Sequence, residues 1–449
     1  MNFKFSNLCI CFAAIACLTL FTNCNKSDED DNIHYFDPSM ADVQTKLQET
    51  LITMNDGDII HLKAGTYNFT ATLSVDGKKN YTIRGEGINS TILSFAGQTS
   101  GSEGLKISNG EQVLLYNFTV QDTEGDAIKV KDTDGLSFIN VGAEWTGEVT
   151  EQNGAYGLYP VTCTNVLIDG CYVRGASDAG IYVGQTEHVI VRNSLAEENV
   201  AGIEIENCNY ADVYNNVATH NTGGVLIFDM PGLTIKNGHQ CRVFDNQIIE
   251  NDHRNFAPSG NIVGNVPPGT GLMIMTSKEV EVFNNTITNN NVLGVGIVSY
   301  LVLAYFDENL TYDDPVYQPY VRNIYIHNNT FARTTTYPQP QNDIGTILTS
   351  QYPAGDIPDI DIKVLPGDAG VASVLVFLLK NDFIAEPHGV FIQQYGYTRQ
   401  YFAQRMFGMK CAHNSRFVAT ACTRYIMIRQ RPVFPLVCNT GIRPKAPRQ

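Results

Sequence analysis

Short runs in which apolar and polar positions alternate recur through the middle of the chain: VIVRN, DVYNN, VEVFN and IYIHNN, each bounded by Gly, Asn or Asp. Alternation over so few residues marks a strand with one buried side, because successive side chains point to opposite faces. The runs belong to a larger unit: a Gly, a first alternating strand, a turn, and a second alternating strand closed by Asn. It reads GLKISNGEQVLLYN from Gly104, GLYPVTCTNVLIDG from Gly157, GIYVGQTEHVIVRN from Gly180, GIEIENCNYADVYN from Gly202 and GLMIMTSKEVEVFN from Gly271. From each Gly to its closing Asn or Gly is 13 residues in all five. Gly157, Gly180, Gly202 and Gly224 follow one another at 23, 22 and 22 residues.

A period above about 20 residues signals a solenoid. No helical stretch fits inside it, which excludes leucine-rich and helical repeats. Two or three short strands per period predict an all-β right-handed parallel β-helix. Asn117, Asn140, Asn193, Asn216, Asn246, Asn285 and Asn329 close apolar strands. They are expected at bends, where Asn tolerates left-handed backbone angles, and in stacks whose amides bond one coil to the next. A solenoid needs a cap over its bare terminal coil. Ser39 to Met54 predicts a capping helix, with Val43, Leu47 and Leu51 on one face. Two insertions, Asp252 to Gly269 and Leu303 to Tyr320, interrupt the period and are expected to leave the coil as loops lining a binding face.

The ends differ from this body. Residues 1–23 carry one early Lys and then the apolar run CICFAAIACLTLF, the length of a signal-peptide core rather than of a membrane span. FTNC, ending at Cys24, resembles a lipobox, so Cys24 is the expected lipidation site; residues 24–38 begin with the acidic string NKSDEDD and read as a tether. The β-helix domain is placed at 39–366. Residues 367–449 have no Asn-ended repeat, and their 11 Lys/Arg against 3 Asp/Glu give +8, leaving −24 for the rest of a chain of net charge −16. A small cap, a disordered basic tail or a shifted reading frame would each produce such a change. The frame shift is preferred, and no function is placed there. The acidic body argues against nucleic acid as a partner, and the eleven cysteines offer no pair at zinc spacing.

The opening DGDIIHLKAGTY, the Asn-ended coils, and the strings NGAYGLYPV, GASDAGIYVGQ, ENVAGIEIENC and NTGGVLIFDMPG resemble the pectin-lyase-like superfamily, and within it lipoproteins with parallel β-helix repeats. The resemblance covers roughly residues 35 to 365. It implies polysaccharide lyase, alginate C5-epimerase or polygalacturonase-like chemistry, a polysaccharide partner, and a monomer anchored on the outer membrane. The Asp-Pro-His-Asp string of alginate epimerases is absent; the nearest text is Asp252-His253-Arg254-Asn255, in an insertion.

Aligning the coils places Lys106, Lys129, Tyr159, Tyr182, Glu204, Leu226 and Met273 in one column, of the parity expected to face outward. Lys106, Lys129 and Tyr159 are read from it as substrate-binding residues, together with Asp229. A second column after the bends runs Gln121, Glu144, Arg174, Glu197, His220, with Asp178 beside it. For uronate chemistry a cation must neutralise the substrate carboxylate and a base must take the C5 proton. Arg174, Tyr182, His220, Glu204 and Asp178 are the catalytic candidates. Glu204 and Glu206 in IEIE share one side of a strand and are the candidate calcium ligands. The alternatives are a glycoside hydrolase using Asp178, Glu204 or Asp229, and a non-enzymatic glycan-binding surface protein.

Overall fold

A computed structural model describes residues 32–306, 310, 313–334, 341–353, 357–364, 375–379 and 390–392. The segment expected to be a signal peptide, Cys24 and most of the tail therefore lie outside the described residues. Each period winds once around a common axis and lays down strands on three faces. The first face carries, in order, Ala71–Asp76, Ser100–Ser108, Ile128–Lys131, Tyr156–Val161, Ala179–Gly184, Ala201–Glu206, Gly223–Phe228, Thr270–Met275, Leu293–Val298 and Ile360–Val364, about ten turns joined in parallel. The second and third faces are short strands such as Glu187–Arg192 and Leu195–Glu197; Glu111–Gln121 and Asp134–Glu144 run through both. Every pairing between successive coils is parallel, and Gly157, Gly180 and Gly202 lie one above another. Inward residues of all three faces, among them Ile181, Val183, Val189, Val191, Ile203 and Ile205, form one continuous apolar core. The first strand, Ile33–Phe36, lies within the stretch read as tether and pairs with Ile59–Leu62. Two strands of the tail, Leu375–Leu379 and Val390–Ile392, pair antiparallel with the last coils.

The corners divide labour between two adjacent residues. Asn117, Asn140, Asn193, Asn215, Asn284 and Asn328 have φ of 61°, 52°, 54°, 55°, 56° and 54°. They turn the chain. The following residue points inward: Asn216, Asn246, Asn285 and Asn329 are buried, and each of the first three donates its amide to the next one's Oδ1 at 2.9–3.0 Å while that same Oδ1 also accepts its backbone N–H. The sequence column of closing asparagines thus merged two positions, the left-handed turn and the buried ladder. A second ladder, not anticipated, stands at the corner between third and first faces: Asn199 donates to Asn221, Asn221 to Asn251, and Asn251 to Asn290, at 2.9–3.0 Å. The repeat glycines leave room for it. A Cβ on Gly202 would lie 2.8 Å from the Asn221 amide, and one on Gly224 2.8 Å from that of Asn251.

The capping helix spans Val43–Thr53, and Leu47 and Leu51 bury against the first coil. Its polar face does a second task. The Gln44 Oε1 accepts from the Thr70 N–H, and Gln48 both accepts from the Ser74 N–H and donates to the Ser74 carbonyl, at 2.8–2.9 Å. The outermost strand of the first face therefore meets side-chain amides instead of a bare edge.

The two insertions do not stand away from the coil as loops. With the helices Tyr300–Phe306 and Asp343–Gln351 they fold back over the first face and build a second apolar cluster from Leu226, Phe228 and Met273 below and Phe256, Val263 and Leu348 above. Removing Asn246 would strip the Asn216 N–H of its acceptor inside the core. Asn246→Ala is expected to destabilise by on the order of 2–3 kcal/mol, whereas Asn193→Ala, at an exposed left-handed turn, costs on the order of 1 kcal/mol through backbone strain; chemical denaturation of both variants measures the difference.

Candidate active site

The first-face column has the predicted register: Lys106 pairs with Lys129, Lys129 with Tyr159, Tyr182 with Glu204, Glu204 with Leu226 and Leu226 with Met273. Its environment departs from expectation. Lys106 and Lys129 lie on open rungs, but Tyr182, Glu204, Leu226 and Met273 are buried beneath the roof. At the junction stand three carboxylates and three tyrosines. Asp178 leaves the GASDAG turn at the start of its rung, and Glu204 and Glu206 alternate with core residues on the next one. Tyr156, Tyr159 and Tyr182 pack ring to ring with centroids 4.4, 4.5 and 5.0 Å apart.

Hydrogen bonds distinguish the three acids. Asp178 Oδ2 accepts from the Tyr156 hydroxyl at 3.4 Å and from the Asn261 amide, which reaches down from the roof, at 3.1 Å. Glu206 Oε1 accepts from the Tyr182 hydroxyl at 2.7 Å. Glu204 Oε2 is buried with no protein hydrogen-bond partner. Burial, and then the Glu206 charge, push the Asp178 carboxyl up to about 7, against the pull of Tyr156 and Asn261. Glu204 is held well above the ordinary carboxylate range by burial and by the charges of Asp178 and Glu206. Burial raises Glu206 too, but the Tyr182 hydroxyl opposes the rise. Three like charges cannot coexist here, so the trio retains protons at neutral pH. Burial also raises the tyrosines, Tyr159 to about 12, and keeps them as hydroxyl donors.

The other expected site residues are distributed elsewhere. Lys106 is paired with Glu103 at 3.3 Å; Lys129 is paired with Asp126 at 3.1 Å and lies 4.6 Å over the Tyr159 ring. Arg174 is on the third face, where its Nε donates to Glu198 at 2.7 Å and its Nη1 to the Trp145 carbonyl at 2.6 Å. His220 occupies a left-handed corner, half exposed, 3.7 Å from Glu250 and 3.9 Å from Asp252. Neither joins the carboxylate–tyrosine cluster. The second column is real as far as Glu197 and is a surface ladder: Gln121 donates to Glu144, and Tyr172 to Glu197. Asp229 is fully buried at the end of its strand. Its Oδ1 accepts from the Gly238 N–H, its Oδ2 is unpartnered, and burial raises it to about 7. Among the described residues no group of three His, Cys, Asp or Glu side chains is arranged to hold a metal ion; of the two expected calcium ligands, Glu206 already accepts the Tyr182 hydroxyl on Oε1.

Tyr156 and Asn261 were invisible to the repeat. Tyr156 sits just before the repeat Gly, outside the aligned column. Asn261 lies in an insertion with no periodic position.

The winding defines a right-handed parallel β-helix. The family described as right handed beta helix region matches residues 103–253 and, in a second overlapping register, 153–337, together just over half of the chain; the chain belongs to that family. No curated protein matches it in sequence. Among solved structures it is similar to the A-module of the Azotobacter vinelandii mannuronan C-5 epimerase AlgE4, at 13% identity and a TM-score of 0.43, covering 68% of this chain and 90% of the module. It is also similar to an alginate lyase from Paenibacillus sp., at 12% identity and 0.40, covering 68% and 98%, and to the DFA-IIIase of Arthrobacter chlorophenolicus, at 11% and 0.40, covering 71% and 89%.

The raised acids have a consequence for stability. The folded protein holds protons on Asp178 and Glu204 that the unfolded chain has released above about pH 4. Stability contributed by these groups is therefore fully present at low pH and falls as pH rises from about 4 toward 7. Glu204→Gln removes the ionisation while keeping the shape. Thermal melts at pH 5 and pH 8 should show a smaller loss on raising the pH in this variant than in the parent.

Proposed function

We propose that the chain is a polysaccharide hydrolase acting on a neutral glycan. The observation that carries this reading is the group of three acids on two successive rungs, beside three tyrosines, at the end of an open run of the first face. Glycoside hydrolysis needs one carboxylic acid still protonated near neutral pH and one carboxylate. Asp178, held near neutrality, gives its proton to the glycosidic oxygen as the C–O bond breaks. Glu206, kept the most acidic of the trio by the Tyr182 hydroxyl, either draws a proton from the attacking water or attacks the anomeric carbon itself. Glu204, buried between them, stays protonated and holds their ionisations apart. The partly exposed rings of Tyr156 and Tyr159 offer flat apolar faces to the C–H faces of sugars, with Tyr182 packed behind them.

Electrostatics favour a neutral substrate. The two lysines of the open run are already matched by Glu103 and Asp126, and the body of the chain is strongly acidic. Elimination or epimerisation at a uronate needs a cation against the substrate carboxylate, and Arg174, the residue suited to that task, is committed to Glu198 on another face. In this proposal the protein is held on the outer membrane through a lipid on Cys24 and works on polysaccharide outside the cell.

Incubation with arabinan, galactan, mannan, xylan, linear glucans, alginate and pectate tests the reading. New reducing ends from a neutral polymer, without the absorbance of an unsaturated uronate, are expected; that absorbance on alginate or pectate would replace hydrolysis by elimination. Asp178→Asn and Glu206→Gln should each lower kcat by about 10²-fold or more. Tyr182→Phe removes the bond that holds Glu206 down, so the limb of the pH–rate profile that requires ionised Glu206 should move to higher pH.

A further inference from the structure

Exposure along the first-face column falls steadily in one direction. The Lys106 side chain is 46% exposed and that of Lys129 26%; Tyr159 is half-buried; then Tyr182 is 6%, Glu204 3% and Leu226 0% exposed as whole residues. A groove open along its whole length would keep its outward positions accessible on both sides of the reacting groups. Here the outward positions beyond Glu204 are sealed in one apolar cluster with Val263, Val266 and Phe256. The acids stand where the open run meets this wall.

The wall is hollow on the far side of Asn261 from the acids. A cavity of about 290 Å³ opens in the Asp252–Gly269 insertion, lined by Ser259, Asn261, Asn265 and Gln341 beside apolar Ile262 and Leu310; Asn255 borders it with its amide already given to backbone carbonyls. Asn261 belongs to both spaces: it lines the cavity, and its amide donates to Asp178 Oδ2. Amide and hydroxyl groups around a small volume suit one polar, uncharged ring rather than a continuing chain.

From this geometry we infer that the site acts on chain ends: the polysaccharide lies along the open rungs, its terminal unit enters the roof cavity past Asn261, and the bond cut is the one that reaches Asp178. This rests on the hydrolase reading and adds to it the mode of attack. An internal segment has no exit beyond Glu204, so only an end can reach the acids.

Two measurements on the full-length wild-type protein decide it, using linear arabinan, galactan, mannan, xylan and glucan. In the first, digests are followed by size exclusion and by analysis of small sugars. Chain-end attack releases mono- or disaccharide from the first time points while the polymer peak keeps its elution volume. An early fall in polymer size with products of intermediate length would overturn the inference and leave hydrolysis standing. In the second, the protein is sedimented with fractions of each polymer that it retains, prepared at tenfold different lengths, at a pH where turnover is absent. Protein bound per chain that stays constant with length supports end recognition even if no polymer is cleaved, in which case only the hydrolase reading is lost. Loading that rises about tenfold with length overturns it, as does failure to bind any of the five.

Discussion

Vertical stacking of coil on coil is the constraint from which the other features follow. Parallel pairing satisfies the strand backbones, but the corners break each strand and leave N–H groups pointing into an apolar core. Two columns of buried asparagine answer them. Each Oδ1 accepts the N–H of the corner one coil away as well as that neighbour's amide, so neither end of the side chain is idle. An unsatisfied buried donor costs about 1–3 kcal/mol, and a slip of one residue between coils would create one at every corner. The ladders therefore fix register, and register is what brings residues 22 or 23 apart into one column.

Much of this was legible because the repeat is strict. The spacing of 13 from Gly to the closing residue marks the left-handed turn in every one of the five coils where it occurs: Asn117, Gly170, Asn193, Asn215 and Asn284 all have positive φ. The pairing Tyr182–Glu204 followed from the same alignment. What the period could not convey was which asparagine of an Asn-Asn pair turns the chain and which enters the core, since both are Asn. The second ladder was harder still. Its members follow Glu198, His220, Glu250 and Asn289, four positions of three residue types that share a backbone conformation, with no common side chain to betray the corner.

The site was half legible for a related reason. Parity along a strand states which side a residue occupies; it says nothing of whether that side meets water. The outward column was placed correctly and read as a solvated stripe, but the non-repeating segments cover its far half. Burial then changes the chemistry: Glu204 in water would be an ordinary carboxylate, and beneath the roof it keeps its proton. Arg174 and His220 attracted notice through their side-chain chemistry alone, and the coil geometry carries both to other sides of the solenoid. Asn261, which touches Asp178, is 83 residues from it in sequence and belongs to no repeat.

The glutamine pair on the capping helix has a consequence between chains. A terminal coil of this kind is a template: its exposed N–H and C=O groups match the next coil so well that a second molecule could continue the winding, and molecules could join end to end into filaments. Gln44 and Gln48 occupy those bonding positions on the first face with side-chain amides that lead nowhere. The helix thus terminates growth as well as covering apolar surface, and the protein is kept from polymerising through that end.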